Sequence, residues 1–342
     1  MKIAVDAMGG DYAPREIIKG ALQAAAEYGI AVILVGNEAQ INAELAGNNS
    51  GGMVTVVHAT EVISMGEHPA VAVRRKRNSS IVRATRLVKE GEADAVVSAG
   101  STGAAMASAL LNMGRIKGID RPAIAGVLPN EKGYTVLLDA GANVDCKPQH
   151  LLQFGIMGYQ YAKKILGNAS PRVGLLSNGE EDTKGNETTL AAFPLLKGAG
   201  INFIGNVEGR DIFEGTADVV VCDGFAGNVV LKAGEGMARM LLKMMKEEIA
   251  KSLLAKMGTL MAGPALKCLQ KRLDYAEYGG APLLGVNGVS VICHGSSRAK
   301  AVKNAIRVAR ESVDNRLVDA ISLNIESLIT KGVCGNLAEG ID

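Results

Sequence analysis

The sequence predicts a three-layer α/β/α fold with a mostly parallel sheet, and two features of its 342 residues support this prediction. Short apolar runs, several of them rich in β-branched residues and bounded by glycine, alternate with helical patterns along the chain. Such runs are typical of parallel strands that are buried on both faces. In addition, the 42 glycines and the aromatic content of 4% fit an enzyme with many tight strand-to-helix turns.

Taken in chain order, seven apolar runs are predicted to be core strands, and an eighth, at 53–59, to be a mixed-sheet or edge strand. The seven lie at 2–7, 31–36, 95–100, 134–141, 172–178, 218–224 and 288–295. Helices are predicted between them, the clearest at 15–28, 79–90 and 300–317. This alternation predicts βαβ units. We expect residues 1–342 to form a single domain.

Residues 235–275 break the alternation. A long helical pattern, an interruption at 258–264 and a second helical run predict a protruding helical hairpin inserted into the α/β core. Apolar residues recur every three or four positions from Met237 to Met257, which predicts a broad apolar stripe along the first helix. The returning helix is too poor in leucine to cover this stripe, so we expect a second subunit to do so in a homodimer.

The predicted tip of the hairpin contains Leu260, Met261 and Leu266, and lysine and arginine side chains flank it. An apolar tip surrounded by cations suits shallow insertion into an anionic membrane surface. The alternative is that these three residues pack against the dimer partner.

Composition limits the possible partners. Lys and Arg number 37 against 35 Asp and Glu, so the chain has no global field that would attract a polyanion, and its few aromatic residues disfavour a base-stacking nucleic-acid binder. The one obvious basic patch is Arg74, Arg75, Lys76 and Arg77, predicted to dock an acidic partner. The alternative is a solvated helix start with ordinary surface ion pairs.

Metal and membrane-span signals are missing from the sequence. The five cysteines form no C-x-x-C pair and the four histidines no H-E-x-x-H cluster, so no metal and no cofactor is predicted. The chain starts directly with a strand pattern, and no run reaches the roughly 20 apolar residues of a membrane span. We therefore expect a cytoplasmic protein that is at most peripherally membrane-associated.

Ligands of parallel α/β sheets bind at the carboxyl ends of the strands, which makes six polar, glycine-rich turns candidate sites. They are turn 1 (6–11) with Asp6, Gly9 and Gly10, turn 2 (98–105) with Gly100, Ser101, Thr102 and Gly103, turn 3 (138–148) with Asn143, turn 4 (176–187) with Lys184, turn 5 (223–232) with Asn228, and turn 6 (294–297) with His294 and Ser296.

Turn 2 is the clearest predicted anion site, because a new helix N-terminus offers backbone N–H groups and Ser101 and Thr102 add hydroxyls. Each turn also has a purely structural interpretation: hydroxyl, Asp or Asn caps at helix starts, or Lys184 paired with Glu180 or Glu181. Turn 1 lacks the G-x-G-x-x-G fingerprint, and turn 2 lacks the lysine of a Walker loop. Without further information, the turns indicate an α/β enzyme that binds a small anion and has no evident covalent nucleophile.

Several blocks together resemble the PlsX family of phosphate acyltransferases. They are IAVDAMGGDYAPREIIKGA, HPAVAVRRKRNSSIVRA, VVSAGSTGAAMASAL, GRIKGIDRPAIA, LLDAGANVDCKP, LLSNGEEDTKGNE, DVVVCDGFAGNVVLK and GVSVICHGSSRAKAVKNAI, running in the family's order from residue 1 to about 310. The resemblance implies a Rossmann-like core, a homodimer and transfer of a long-chain fatty acyl group from acyl carrier protein to inorganic phosphate. It also implies an essential lysine at Lys184 and an essential asparagine at Asn228.

This reaction needs no activated serine or cysteine, because the phosphate dianion is itself the nucleophile. Lys184 and Asn228 would then hold phosphate or stabilise the oxyanion. The resemblance further implies, as a partner, the membrane glycerol-3-phosphate acyltransferase that consumes acyl phosphate. The alternatives are a phosphotransacetylase-like enzyme that uses acyl-CoA, a non-catalytic membrane-docking scaffold, and a decarboxylating dehydrogenase of related topology.

Overall fold

The computed structural model describes residues 1–46 and 52–330, and the C-terminal tail, for which the sequence predicted nothing, lies outside these ranges. The strands, in chain order, are β1 (Lys2–Asp6), β2 (Ala31–Gly36), β3 (Val54–His58), β4 (Ala95–Ser98), β5 (Ala123–Ile124), β6 (Gly126–Asn130), β7 (Gly133–Leu138), β8 (Val173–Leu176), β9 (Phe203–Val207), β10 (Val219–Val221), β11 (Ala281–Leu284) and β12 (Val289–Ile292).

The helices connect these strands. They are α1 (Arg15–Tyr28), α2 (Glu38–Leu45), α3 (Pro69–Arg75), α4 (Ser80–Lys89), α5 (Thr102–Asn112), α6 (Pro148–Lys164), α7 (Glu187–Lys197), α8 (Asp211–Glu214), α9 (Gly224–Lys251), α10 (Leu253–Met261), α11 (Gly263–Leu273), α12 (Tyr275–Tyr278), α13 (Ala299–Asp314) and α14 (Leu317–Thr330).

The strands form two sheets. The first has the order β3-β2-β1-β4-β12-β11-β5, and the second β6-β7-β10-β8-β9. In the first sheet β3, β2, β1, β4 and β12 are parallel. At one end of this sheet β11 runs antiparallel to β12, and β5 runs antiparallel to β11. In the second sheet β7, β10, β8 and β9 are parallel and β6 is antiparallel. The predicted α/β class with mostly parallel strands is therefore confirmed, with the strands divided between two sheets.

One residue links the two sheets. Ala125 lies between β5, which pairs with β11, and β6, which pairs with β7. Its backbone N–H donates to the Pro282 carbonyl at 3.0 Å. The consecutive strands β5 and β6 therefore carry the chain from one sheet into the other without a helix.

All eight predicted strands exist, and the run at 53–59 forms the parallel edge strand β3. The sequence reasoning did not identify β5, β6, β9 and β11. The predicted helix at 300–317 is confirmed as α13, which ends three residues earlier, at Asp314, and α14 begins at Leu317. Arg316, between them, has a positive φ of 49°, which interrupts the helical backbone.

The region predicted as a hairpin is helical, and its helices differ from the prediction. The first helix, α9, begins at Gly224 rather than near residue 235, so it grows directly out of turn 5. The predicted interruption at 258–264 is confirmed only at Ala262, because α10 runs through Met261 and α11 starts at Gly263. The main break is at Ser252, whose extended backbone ends α9 and whose side chain caps α10 by accepting from the Ala255 N–H. Pro264 sits in the first turn of α11, where its missing N–H costs nothing.

Candidate active site

Turns 1, 2 and 6 meet at the carboxyl edge of the first sheet, because β1, β4 and β12 are parallel neighbours. The Asp11 N–H donates to the Gly295 carbonyl at 2.8 Å, which joins turn 1 to turn 6. A Cβ on Gly9 would lie 2.8 Å from the Gly100 nitrogen, so turns 1 and 2 approach as closely as glycine permits. Gly10, with φ of 112°, lies against Ala99 and Gly295.

Hydrogen bonds to the Asp6 carboxylate connect turn 1 to turn 2. Its carboxylate is buried and accepts hydrogen bonds from the Ser98 hydroxyl at 2.7 Å and from the Met8 N–H at 3.3 Å. Burial raises the pKa of the Asp6 carboxyl above its ordinary value, against the opposing effect of hydrogen bonds from Ser80 and Ser98. These contacts favour a positioning role for Asp6, so its contact with substrate stays a prediction.

Turn 2 opens α5 as expected. Ser101 is the N-cap, its hydroxyl accepting from the Ala104 N–H at 3.4 Å, and the Gly100 N–H donates to the Ser98 hydroxyl at 3.1 Å. Within the part of the chain that the structure describes, the N–H groups of Thr102 and Gly103 have no hydrogen-bond acceptor. A helix N-terminus with two free donors suits an anion, although Ser101 also performs the ordinary capping role.

Turns 3, 5 and 4 lie at the carboxyl edge of the second sheet, after the parallel neighbours β7, β10 and β8. Asp139, which the sequence reasoning did not single out, organises turn 3. Its fully buried carboxylate accepts from the backbone N–H groups of Ile124, Gly141, Ala142 and Asn143 and from the Asn143 side chain, at 2.6 to 3.2 Å. Burial raises the pKa of the Asp139 carboxyl, while these hydrogen bonds lower it.

Asn143 is committed to this network. Its side-chain amide donates to Asp139 and to the Pro122 carbonyl, at 2.9 and 2.8 Å, which uses both amide hydrogens. Its backbone carbonyl accepts from the Gly224 N–H at 2.7 Å and so ties turn 3 to turn 5. The geometry gives Asn143 a positioning role and leaves its amide no hydrogen for phosphate.

Asn228 is exposed and lies inside α9, while Asp223 is the N-cap of that helix through a 2.8 Å bond from the Ala226 N–H. The alternative that Asn228 caps the helix is therefore wrong. Its side chain lies over Gly141, where a Cβ would come within 3.4 to 3.6 Å of Asn228 Cβ and Oδ1. Within the described chain its amide forms no hydrogen bond, so it is available to a ligand.

Lys184 lies at the end of a turn that is stabilised by hydrogen bonds to the backbone carbonyl of Glu181. Its N–H donates to the Glu181 carbonyl at 3.0 Å, and the Asn206 side chain donates to that same carbonyl at 2.8 Å. The predicted alternative of a pair with Glu180 is wrong, because Glu180 faces Arg210 at 3.5 Å. Among residues 1–46 and 52–330 the Lys184 ammonium has no ion pair, so it is free to meet an anion.

Two polar atoms beside Lys184 have no partner. The Ser177 hydroxyl and Asn206 Oδ1 are buried and unsatisfied among the described residues. A Cβ on Gly185, which has φ of 120°, would lie 3.2 Å from that hydroxyl. Buried polar atoms normally have a hydrogen-bond partner, so these two mark turn 4 as a place where a water or a ligand oxygen would be stabilised. The sequence placed Ser177 in the turn without assigning it a role.

The two groups of turns share one buried cluster. Ala140 of turn 3 packs in the same cluster as Ala104 and Ala105 of turn 2, and Leu231 of α9 packs against it. The carboxyl edges of both sheets therefore border a common region.

A cleft of about 280 Å³, the hairpin cleft, separates the base of the hairpin from turn 6. Its apolar lining includes Leu242 and Leu273, and its polar lining includes Arg239, His294 and Ser296. The Ser296 N–H donates to His294 Nδ1 at 3.2 Å, so a neutral imidazole carries its proton on Nε2. Arg239 has no ion pair in the described ranges and is the cation available to a ligand.

The four basic residues occupy the end of α3 and the loop after it, rather than a helix start. Lys76 is turned inward, donating to Glu67 at 2.6 Å and to the Val62 carbonyl at 2.8 Å, and Arg75 lies 3.9 Å from the same Glu67. Arg74 and Arg77 are exposed, and neither has an ion pair in the described part of the chain. At its other end α3 touches turn 2, because Pro69 packs against Gly103.

In the described part of the chain, no helix combines the length and the apolar character needed to cross a bilayer.

Comparison with known proteins identifies the family. The model of a family described as "Fatty acid synthesis protein" matches residues 1–319. A phosphate acyltransferase of Pelotomaculum thermopropionicum is 74% identical over 342 residues, covering 100% of both chains. One of Desulforamulus reducens is 59% identical, covering 97% of this chain and 99% of its own. Among solved structures, a phosphotransacetylase from Streptococcus pyogenes matches with a TM-score of 0.64 at 17% identity, over 92% of this chain and 94% of its own, a likeness in fold alone.

Proposed function

This chain belongs to the PlsX family of fatty acid synthesis proteins and is an acyltransferase that uses phosphate, and we propose that its donor is a long-chain acyl group on acyl carrier protein. The product is then an acyl phosphate for phospholipid synthesis. The chemistry of acyl transfer to phosphate is supported by two groups with no partner in the described chain, the Lys184 ammonium and the Asn228 amide, which lie at the turns after the neighbouring strands β8 and β10.

In the proposed reaction a phosphate oxygen attacks the thioester carbonyl and forms a C–O bond. The C–S bond then breaks, and the sulfur leaves as the thiol with the proton that phosphate gives up. Lys184 neutralises phosphate or the tetrahedral oxyanion, Asn228 donates a hydrogen bond to one of them, and Thr102 and Gly103 offer backbone N–H groups. No step requires a covalent enzyme intermediate.

The hairpin cleft fits the acyl chain of this donor. Asn228 and Leu242 lie on the same helix, 14 residues apart, or about 21 Å at the rise of an α-helix. A thioester held near Asn228 can extend its hydrocarbon along α9 toward Leu242 and Leu273. The exposed Arg74 and Arg77, on a helix that touches turn 2, are suited to the acidic surface of acyl carrier protein.

The exposed apolar surface of the hairpin supports two further associations. Leu260 and Met261 are 82% and 87% exposed, and most of the α9 stripe is exposed in the single chain. Such surface is typical of an interaction site. We assign the stripe to a homodimer and the tip to an anionic membrane, where the product would be delivered to the membrane glycerol-3-phosphate acyltransferase. Of the three tip residues, Leu266 is half-buried, so the more exposed Leu260 and Met261 are the insertion candidates.

The deciding experiment supplies purified protein with phosphate and either palmitoyl–acyl carrier protein or palmitoyl-CoA, without metal or nucleotide. Acyl phosphate is trapped with hydroxylamine and quantified. A much higher kcat/KM with the carrier-protein donor supports the proposal. Equal or better use of the CoA donor would instead favour the phosphotransacetylase-like alternative.

A further inference from the structure

A second cavity, the tyrosine cavity, lies away from all six turns. It has a volume of about 290 Å³ and is lined by α11, α12, the ends of α6 and α13, and the β6–β7 hairpin. Tyr134 lies near the start of β7 and Ile165 just after the end of α6, so the cavity is at the amino edge of the second sheet. The turns of the candidate active site follow the opposite, carboxyl edge.

One polar group in the wall of this cavity has no partner among the described residues. Tyr161 is 2% exposed and lines the cavity, yet its hydroxyl forms no hydrogen bond to any described residue. Burial raises the pKa of the Tyr161 phenol above its ordinary value, so the group stays a neutral donor. The hydroxyl oxygen is therefore free to bond to whatever occupies the cavity, whether water or a ligand.

The cavity also carries uncompensated positive charge. Glu311 is paired with Arg307 at 2.8 Å and Glu277 with Lys300 at 2.8 Å. Lys271 has no ion pair within the described ranges, and Arg272 has only two weak bonds of 3.5 Å to the backbone carbonyls of residues 130 and 131. Two cations of α11 therefore face the cavity without a neutralising carboxylate.

The rest of the lining is apolar and aromatic. Val127, Ile165 and Leu166 provide aliphatic surface, while Tyr134 and Tyr278 pack edge to face with ring centroids 5.3 Å apart. Tyr278 is fixed by a hydrogen bond from its hydroxyl to the Arg272 carbonyl. A preformed, largely apolar cavity with a few polar groups at fixed places is the usual form of a small-molecule site.

We propose that the tyrosine cavity binds a small amphiphilic anion, either an alkyl phosphate or an aliphatic carboxylate, at a site separate from the catalytic turns. Lys271 and Arg272 hold the charge, Tyr161 donates to an oxygen of the ligand, and the aliphatic lining holds its hydrocarbon. This assignment does not depend on which acyl donor the enzyme uses.

The probes are octyl phosphate and octanoate, which distinguish the two head groups, with inorganic phosphate as the probe that lacks hydrocarbon. Because the chain has seven Tyr and no Trp, tyrosine fluorescence reports occupancy of a cavity with three tyrosines in its wall. Cys268 is exposed and also lines the cavity, so its rate of alkylation by iodoacetamide, followed by peptide mass spectrometry, locates the ligand.

We expect saturable binding of at least one octyl probe, with slower alkylation of Cys268. Lys271→Gln/Arg272→Gln should weaken binding at least tenfold, and Tyr161→Phe about fivefold, the loss of one hydrogen bond. The control Lys256→Gln/Lys267→Gln removes two hairpin charges outside the cavity wall and should bind normally.

Absence of saturable binding to the folded wild-type chain would overturn the proposal. So would unchanged affinity in Lys271→Gln/Arg272→Gln, or binding that leaves Cys268 unprotected, since either places the ligand elsewhere. Circular dichroism of each variant establishes that it is folded before its affinity is compared. Unchanged affinity in Tyr161→Phe would remove the hydroxyl from the site and with it the main reason for the assignment.

Discussion

At the scale of single residues, the candidate site separates groups that are free from groups that are already bonded. The side chains of Lys184 and Asn228 form no hydrogen bond in the described chain. In contrast, hydrogen bonds within and between the turns occupy the polar atoms of Asp6, Asp139 and Asn143. Residue type alone does not reveal this difference, because an asparagine in a glycine-rich turn suits either role. The two kinds of residue should respond differently to substitution.

Lys184→Ala and Asn228→Ala should each lower kcat by roughly 10²–10³-fold, the usual effect of removing one oxyanion donor. Stability should change little, because both side chains are exposed and unbonded in the described chain. The control is Lys164→Ala, which removes an exposed lysine at the end of α6, at the opposite edge of the sheet. Turnover at the wild-type rate in either test variant would remove that residue from the mechanism.

Asp139→Asn should act on stability first. The carboxylate accepts five hydrogen bonds, and an amide places an N–H₂ group against some of the same donors. Leaving buried donors unsatisfied costs about 1–3 kcal/mol in the free energy of unfolding, measurable by urea denaturation. Asp145→Asn alters an exposed carboxylate of the same turn and should leave the urea midpoint unchanged. Equal midpoints for the two variants would contradict this account of turn 3.

At the scale of elements, helix α3 combines a buried contact with an exposed charge. Its first residue packs on turn 2, while Arg74 and Arg77 are exposed at and beyond its other end. Seven helical residues span about 10 Å, so a partner docked on the arginines is within reach of turn 2.

Arg74→Glu/Arg77→Glu should raise KM for the carrier-protein donor, most strongly at low ionic strength, while kcat at saturation changes little. Lys163→Glu/Lys164→Glu makes the same charge change at the end of α6 and serves as the control. A KM that ignores both the reversal and the salt concentration would assign the patch another purpose.

Charge substitutions at the hairpin tip should separate membrane binding from folding. Leu260→Glu/Met261→Glu should abolish cosedimentation with anionic liposomes, because charged residues at the tip oppose insertion. The variant should stay folded and active, since both side chains project from the body of the protein. Leu190→Glu/Leu323→Glu places the same charges on other exposed leucines and should sediment like the wild type. Unchanged sedimentation of the tip variant would refute membrane insertion.

At the scale of the whole molecule, the sequence predicted the parallel strands well, because buried runs such as 31–36 are apolar throughout and glycine-bounded. It did not reveal β5 and β11, which are short and pair with each other between residues 159 and 161 positions apart in the chain. It also did not reveal that the strands divide into two sheets, since the crossing at Ala125 depends on tertiary contacts alone. The six turns were identified from their composition, but their grouping into two clusters required the order of the strands.

The exposed apolar stripe of the hairpin predicts a homodimer. In the single chain Leu241 is 55% and Met244 is 54% exposed, and nothing in the described part of the same chain covers them. Contiguous apolar surface of this kind is costly in water, and a two-fold interface buries the same stripe on both copies. Leu241→Lys/Met244→Lys should therefore convert a dimer into a monomer, as measured by analytical ultracentrifugation, because like charges would meet across the axis. Lys243→Glu/Lys246→Glu changes charge on the side of the same helix opposite the stripe and should remain dimeric. A wild-type chain that sediments as a monomer at all concentrations would refute the homodimer and leave the stripe to the membrane or to another partner.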